Sequence, residues 1–183
     1  MNESRFSSKR LILAALAGAA ALAATMAVAS ASVAAGPQPL AAPANPPCKT
    51  SGLVIWSNNG AGGGTAGSVF YKLRFTNLSG HTCTLAGFPK VSAVNLAGKR
   101  IGSAAQHEVG QKPKPKKLAN GATATALLRV VDPGNFSPSA CHEVMAAGLR
   151  VTPPGQSHSK LIPIPFATCS LASQKTLSVG VVR

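Results

Sequence analysis

The sequence predicts an all-β domain, built as an antiparallel β-sandwich. The clearest observation is the strict alternation between residues 69 and 75, where the odd-numbered residues are apolar while Lys72 and Arg74 share the opposite face. A period of two with one apolar face indicates a half-buried strand. The second observation is a series of about seven such runs separated by glycine, proline or asparagine turns, a spacing typical of a sandwich. A closed barrel is the alternative.

The other predicted strands are short runs of apolar and β-branched residues. They cover residues 53–56, 91–96, 123–130, 149–152, 161–166 and 177–182. Pro163 and Pro165 limit the fifth of these runs to an edge or bulged strand, because proline cannot donate to the ladder. Residues 141–147 favour a helix of one or two turns. We expect Trp56 and Tyr71 in the core rather than on a sugar-stacking surface.

The first 31 residues have the pattern of an export signal. Arg5, Lys9 and Arg10 precede an apolar run over residues 11–29, and the small residues Ala29-Ser30-Ala31 close it. Cleavage is expected near Ala31, or near Ala35 at a second site. An uncleaved segment that anchors the chain in the membrane is the alternative, since the run is long enough to span a bilayer. The protein is thus expected to be secreted or at the cell wall. Residues 32–47 are an Ala/Pro-rich linker, and residues 48–183 form the domain.

The net charge of the chain is strongly positive. The chain has 18 Lys and Arg against 4 Asp and Glu, and removal of the first 31 residues leaves 15 against 3, a net charge of +12. Such a charge favours anionic partners; outside a cell, these are wall polymers or lipid headgroups rather than nucleic acid. The densest positive run is 112–117 (KPKPKK), whose prolines favour an extended polyproline conformation. The candidate polyanion contacts are Lys112, Lys114, Lys116 and Lys117; a solvated loop is the plainer interpretation.

The four cysteines are expected to form two disulfides, because their number is even and the predicted compartment is oxidising. Three pairings are possible. We prefer Cys48–Cys83 and Cys141–Cys169, which join neighbours in chain order and each close a loop of roughly thirty residues, for about 3–4 kcal/mol of stability per bond. Without a C-x-x-C pair, a zinc site has little support.

No motif in the sequence predicts an enzyme, a cofactor or a metal. Three acids are too few for paired-carboxylate hydrolysis, and there is no G-x-S-x-G nucleophile motif. The glycine-rich segment 60–68 lacks the lysine of a phosphate loop and is interpreted as an interstrand loop. Two alternatives stay open, a passive structural domain and a wall hydrolase. The hydrolase requires a cleft where several of the following converge: His81, His107, His142, Glu108, Asp132 and Glu143.

Several motifs occur in an order that resembles the actinobacterial exported family labelled domain of unknown function 4232 (DUF4232). The most specific is the block at residues 83–91, Cys-Thr-Leu-Ala-Gly-Phe-Pro-Lys-Val, and the turn Pro153-Pro154-Gly155 supports it. The resemblance extends from Cys48 to Val182. It implies an immunoglobulin-like β-sandwich on the cell envelope or in the medium, without catalytic residues. We therefore expect a secreted, monomeric, non-enzymatic domain of unknown specific function.

Overall fold

The computed structural model describes residues 45–57, 64 and 67–183, and β-strand is the main regular structure of these residues, with almost no helix. The strands are β1 (Leu53–Ser57), β2 (Ser68–Asn77), β3 (Cys83–Leu85), β4 (Lys90–Val94), β5 (Arg100–Ile101), β6 (Gln106–His107), β7 (Lys116–Leu118), β8 (Thr123–Val131), β9 (Glu143–Ala146), β10 (Gly148–Thr152), β11 (Lys160–Ile162), β12 (Phe166–Cys169) and β13 (Leu177–Val179). The all-β prediction is confirmed. The predicted signal, most of the linker and most of the glycine-rich segment lie outside the described residues.

A five-stranded sheet carries the two longest strands, in the order β1-β2-β8-β13-β6. Strands β2 and β8 pair antiparallel from Ser68 opposite Val131 to Thr76 opposite Thr123. Their alternation turns Leu73 and Phe75 fully inward, at 0% exposure, and burial of each contributes about 1.5–3 kcal/mol. One pair departs from the predicted antiparallel pattern, because β6 runs parallel to β13.

A four-stranded antiparallel sheet, in the order β11-β10-β4-β5, supplies the other side of the core. Val91 and Ala93 of β4 and Leu149 and Val151 of β10 are buried in the same hydrophobic cluster as the inward residues of β2 and β8. Tyr71 also belongs to this cluster, 6.0 Å from the ring of Phe166. Burial removes solvent from the Tyr71 hydroxyl and raises its pKa above 10.0.

Two small antiparallel sheets, β3-β7 and β12-β9, are each attached to a disulfide. Cys48 bonds to Cys83 at the first residue of β3. Cys141 bonds to Cys169 at the last residue of β12. These are the pairs that chain order favours, and each fixes one end of a two-stranded sheet to a neighbouring segment.

The helix predicted over residues 141–147 is wrong. The structure instead has a single turn of α-helix just before this run, α1 (Pro138–Cys141), after which His142 adopts a left-handed conformation with φ 48°. Glu143–Ala146 then forms β9 beside β12, because the Cys141–Cys169 bond holds the two segments together. In the described residues, no helix has the length and apolar character needed to cross a bilayer.

The prolines divide the strand predicted over residues 161–166. Lys160–Ile162 is an edge strand of the four-stranded sheet, as its prolines predicted, whereas Phe166–Cys169 pairs with β9 in another sheet. Pro163 and Pro165 lie between them, where no ladder donor is needed.

Candidate functional site

The lysine-rich run is a loop that is anchored at both ends. Before it, the side-chain oxygen Oε1 of Gln111 accepts a hydrogen bond from the N–H of Val181, at 2.9 Å. After it, Lys116 to Leu118 form β7 and pair with β3, in register from Cys83 opposite Leu118 to Leu85 opposite Lys116. Because β3 carries Cys83, the Cys48–Cys83 bond supports this second anchor.

Between the loop and the end of the chain lies a cleft of about 400 Å³, which we name the lysine cleft. Its lining residues are Lys112, Lys114, Pro115, Lys116, Val181, Val182 and Arg183. Four of them are cationic and none is acidic. The lysines are exposed, while Val181 and Val182 are buried and form an apolar floor. The cleft therefore offers positive charge on two sides of an apolar base.

One of the four predicted contact residues lies elsewhere. Lys117 does not line the lysine cleft, because successive side chains in a strand point to opposite faces and β7 contains both Lys116 and Lys117. The expectation of an extended polyproline loop over all of residues 112–117 is also wrong for its last two residues, which are strand. The segment 112–115 remains outside regular structure.

The segment after β13, residues 180–183, continues beside β8 through a β-bulge, and Arg183 at its end lines the cleft. Val179 lies opposite Leu128 of β8, yet Arg183, four residues on, exchanges two main-chain hydrogen bonds with Thr125, only three residues back, at 2.8 and 2.9 Å. The extra residue bends the strand and redirects its side chains. A Cβ at Gly180 would lie 2.9 Å from Oε1 of Gln111, so a side chain there would displace the Gln111 amide that accepts from the N–H of Val181.

Trp56 lies on the outer face of the five-stranded sheet, so its predicted place in the core is wrong. Its side chain is 39% exposed, and the Arg74 guanidinium lies 4.8 Å from the ring centroid. The indole N–H donates to Oγ1 of Thr76 at 3.1 Å, and Thr76 in turn hydrogen-bonds with Thr123. The predicted core position of Tyr71 is confirmed.

The three acidic residues of the described chain occupy separate elements. Glu108 accepts a hydrogen bond from the Ser178 hydroxyl beside β6. Asp132 caps a 3₁₀ turn, where its Oδ1 accepts from the N–H of Gly134 at 2.8 Å. Glu143 is the exposed first residue of β9. None of the three carboxylates lines the lysine cleft.

The histidines are also separate from one another along the fold. His107 of β6 stacks on Phe88, with ring centroids 4.2 Å apart, and exposed His81 hydrogen-bonds with the main-chain oxygen of Ser79. His142 terminates α1. Across residues 45–57, 64 and 67–183, no three His, Cys, Asp or Glu side chains are grouped closely enough to hold a metal ion.

A second cavity, of about 700 Å³, lies near the first disulfide and includes Lys49, His158 and Lys160 in its lining. Two of its other polar residues, Thr50 and Gln156, are already hydrogen-bonded to each other. Thr50 donates its hydroxyl to the main-chain oxygen of His158 at 3.1 Å and its N–H to Gln156 at 3.3 Å. The lysine cleft has the higher charge, so it is the stronger candidate for an anionic partner.

Sequence reasoning found three residues of the cleft and missed the fourth cation. Lys112, Lys114 and Lys116 are visible as a charge run, whereas Arg183 enters through strand pairing and a bulge. The only hint of Arg183 in the sequence is the strand predicted just before it, over residues 177–182. That pattern predicts a strand, but it does not show that the end of the strand lies next to residue 112.

The described residues form a disulfide-linked β-domain with a basic cleft. The family model described as a domain of unknown function (DUF4232) matches residues 48–183. This chain belongs to that family, as the motif order predicted; the actinobacterial origin stays a prediction. No curated protein matches the chain.

Proposed function

We propose that this chain is an exported, non-enzymatic domain that binds an anionic polymer of the cell wall through the lysine cleft. In this proposal residues 1–31 direct export, residues 32–47 are a spacer, and the two larger sheets form an immunoglobulin-like β-sandwich. The shared core of these sheets and the two disulfides support the sandwich and an oxidising compartment. The scattered carboxylates support a role in binding rather than hydrolysis.

The observation that carries the proposal is the arrangement of charge in the lysine cleft. Lys112, Lys114 and Lys116 form one wall, Arg183 belongs to the other, and the lining includes no acidic side chain. If the lysine run were only a solvated loop, no cation from another part of the chain would line the same cleft. Anchors at Gln111 and β7 also reduce the conformational freedom that the loop must lose on binding.

A polymer fits this shape better than a membrane. A linear anion can enter a cleft and meet cations on both sides, whereas a bilayer surface meets only the outermost side chains. The valine floor, being buried, cannot insert into lipid. We therefore favour a wall polymer over lipid headgroups.

The test is binding of the purified, oxidised protein to dextran sulfate, with uncharged dextran and phosphatidylglycerol vesicles as comparisons. The triple variant Lys112→Gln, Lys114→Gln and Lys116→Gln removes one wall of the cleft. At about 1 kcal/mol for each basic residue facing an anionic surface, its affinity for dextran sulfate falls on the order of 100-fold. Rising salt should also weaken the wild-type complex, because salt screens the attraction between the lysines and the polymer.

The matched control neutralises three exposed lysines outside the cleft, Lys90, Lys99 and Lys175. It changes net charge by the same amount, so the proposal requires that it keep most of the affinity. Equal losses in the two triple variants would refute cleft binding. Tight binding to the vesicles with none to dextran sulfate would assign the lysines to a lipid surface instead.

A further inference from the structure

A row of four side chains crosses the outer face of the five-stranded sheet and ends at the lysine cleft. Trp56 of β1 lies opposite Arg74 of β2, and Arg74 lies opposite Thr125 of β8. Thr125 exchanges main-chain hydrogen bonds with Arg183. Directly opposed residues of antiparallel strands present their side chains on one face. The row Trp56, Arg74, Thr125 and Arg183 therefore forms a continuous line.

The row has dimensions suited to a chain molecule. Adjacent strands are about 4.8 Å apart, so three spacings give the row a length of about 14 Å. At its end, Arg183 also lines the lysine cleft, and Val181 is shared by the cleft and by a cavity of about 240 Å³ that is lined in part by Lys72, Thr125 and Leu127. The positive surface thus passes from the cleft onto the sheet without interruption.

The far end of the row is a cation–π pair, Arg74 with Trp56, whose indole is held in place by a hydrogen bond. The Arg74 guanidinium lies 4.8 Å from the Trp56 ring centroid, and the hydrogen bond to Thr76 fixes the indole orientation. The Nε of Arg74 is buried without a hydrogen-bond partner in the described part of the chain. Its remaining N–H groups are forked donors of the kind that bind carboxylate or phosphate.

We propose that the row is a glycan subsite, and that the polymer bound in the lysine cleft is a linear anionic polysaccharide that continues across the sheet to Trp56. This proposal rests on the proposed function and names the chemistry of its ligand. Acidic groups along the polymer pair with Arg183 and Arg74, while the apolar face of a sugar ring covers part of the indole. A polyanion without rings gains the ionic contacts alone.

The test compares two carboxylate polymers of matched length and charge, polygalacturonate, which has sugar rings, and polyglutamate, which has none. Trp56 is the single tryptophan of the sequence, so its fluorescence reports directly on the row. We expect polygalacturonate to bind more tightly, by roughly fivefold as for covering one face of an indole, and to shift or quench the emission. Equal affinities with unchanged emission would overturn the glycan subsite.

Variants separate this proposal from the one on which it rests. Trp56→Ala should weaken polygalacturonate binding about fivefold and leave polyglutamate binding within twofold. Arg74→Gln removes an ionic contact that both polymers make, so it should weaken both. Thr125→Glu leaves the side chains of Trp56 and Arg74 in place and adds a negative charge to the row. It therefore tests the subsite even if Trp56→Ala fails to fold. If the row variants bind polygalacturonate normally while the triple lysine variant does not, the subsite is refuted and the cleft stands.

Discussion

Asn77 of β2 donates a hydrogen bond from its side-chain amide to the main-chain oxygen of Leu118 in β7, at 2.9 Å. The side chain is 0% exposed. It also donates to the oxygen of His81 and accepts from the N–H and hydroxyl of Ser79. One buried amide thus connects β2, the longest strand, to the strand that ends the lysine loop.

Replacement of that amide should be costly. Asn77→Ala removes four hydrogen bonds and takes the amide donor away from the main-chain oxygen of Leu118 in a buried contact, so we expect a loss of about 2–4 kcal/mol of unfolding free energy. Urea denaturation measures it. The control is Asn120→Ala, since exposed Asn120 accepts one hydrogen bond, from the N–H of Gly80; a loss as large there would show that Asn77 has no special role.

The two disulfides should differ in their effect on binding. Replacing either pair by alanine should cost about 2–5 kcal/mol. Only the Cys48–Cys83 pair supports β3, which holds β7 and the end of the lysine loop. We expect its loss to weaken dextran sulfate binding of the folded protein.

The Cys141–Cys169 pair is the matched comparison, because it joins α1 to β12. Its removal should lower stability and leave affinity within twofold of wild type at a temperature where both variants are folded. A larger affinity loss in this second variant would contradict the assigned role of the first disulfide.

Gly148 should not tolerate a side chain. A Cβ there would lie 2.3 Å from the main-chain oxygen of Ile162, where β10 passes close to β11. Gly148→Ala should therefore cost about 2–4 kcal/mol through displacement of the strand. Gly155→Ala is the control: it meets nothing within 4 Å and has φ +70°, so it should cost about 1 kcal/mol from backbone strain alone. Similar melting temperatures for the two variants would refute the close contact.

Tyr71 should make the fold sensitive to alkali. Its pKa is raised in the folded state by loss of solvent on burial. The unfolded tyrosine ionises first as pH rises past 10.0, so its contribution is complete below that pH and is lost as pH climbs through the higher folded pKa.

The measurement is the unfolding free energy against pH for wild type and Tyr71→Phe. The variant should lack part of the alkaline decline, and phenolate absorbance of the single tyrosine should rise late in the folded wild type. Identical slopes, with phenolate appearing at its ordinary pH, would contradict the burial argument.

Local sequence patterns predicted which residues form strands better than they predicted which strands pair with each other. The alternation in β2 and β8 identified both strands and most of their inward residues, because one face is largely polar in each; Val69 near the start of β2 is the exception, at 39% exposure. Residues 53–56 are apolar on both faces, so nothing local shows that Trp56 points outward. That outcome depends on the pairing of β1 with β2.

Long-range contacts explain the other differences. Residues 143–146 are strand rather than helix because a disulfide between cysteines 28 residues apart aligns them with β12. Similarly, the lysine run was visible in the sequence, but the second wall of the cleft is brought in by a hydrogen bond between residues 70 apart. Neither constraint leaves a periodic signal.

The comparison of Lys116→Gln with Lys117→Gln tests the lysine cleft most directly. The two lysines are adjacent and exposed in β7, yet only Lys116 lines the cleft. Each substitution removes one charge, so a nonspecific effect of net charge is equal in both. In low salt, we expect Lys116→Gln to weaken dextran sulfate binding about fivefold and to reduce its salt dependence, with Lys117→Gln within twofold of wild type. Equal losses, or a larger loss for Lys117→Gln, would contradict the cleft as the binding site.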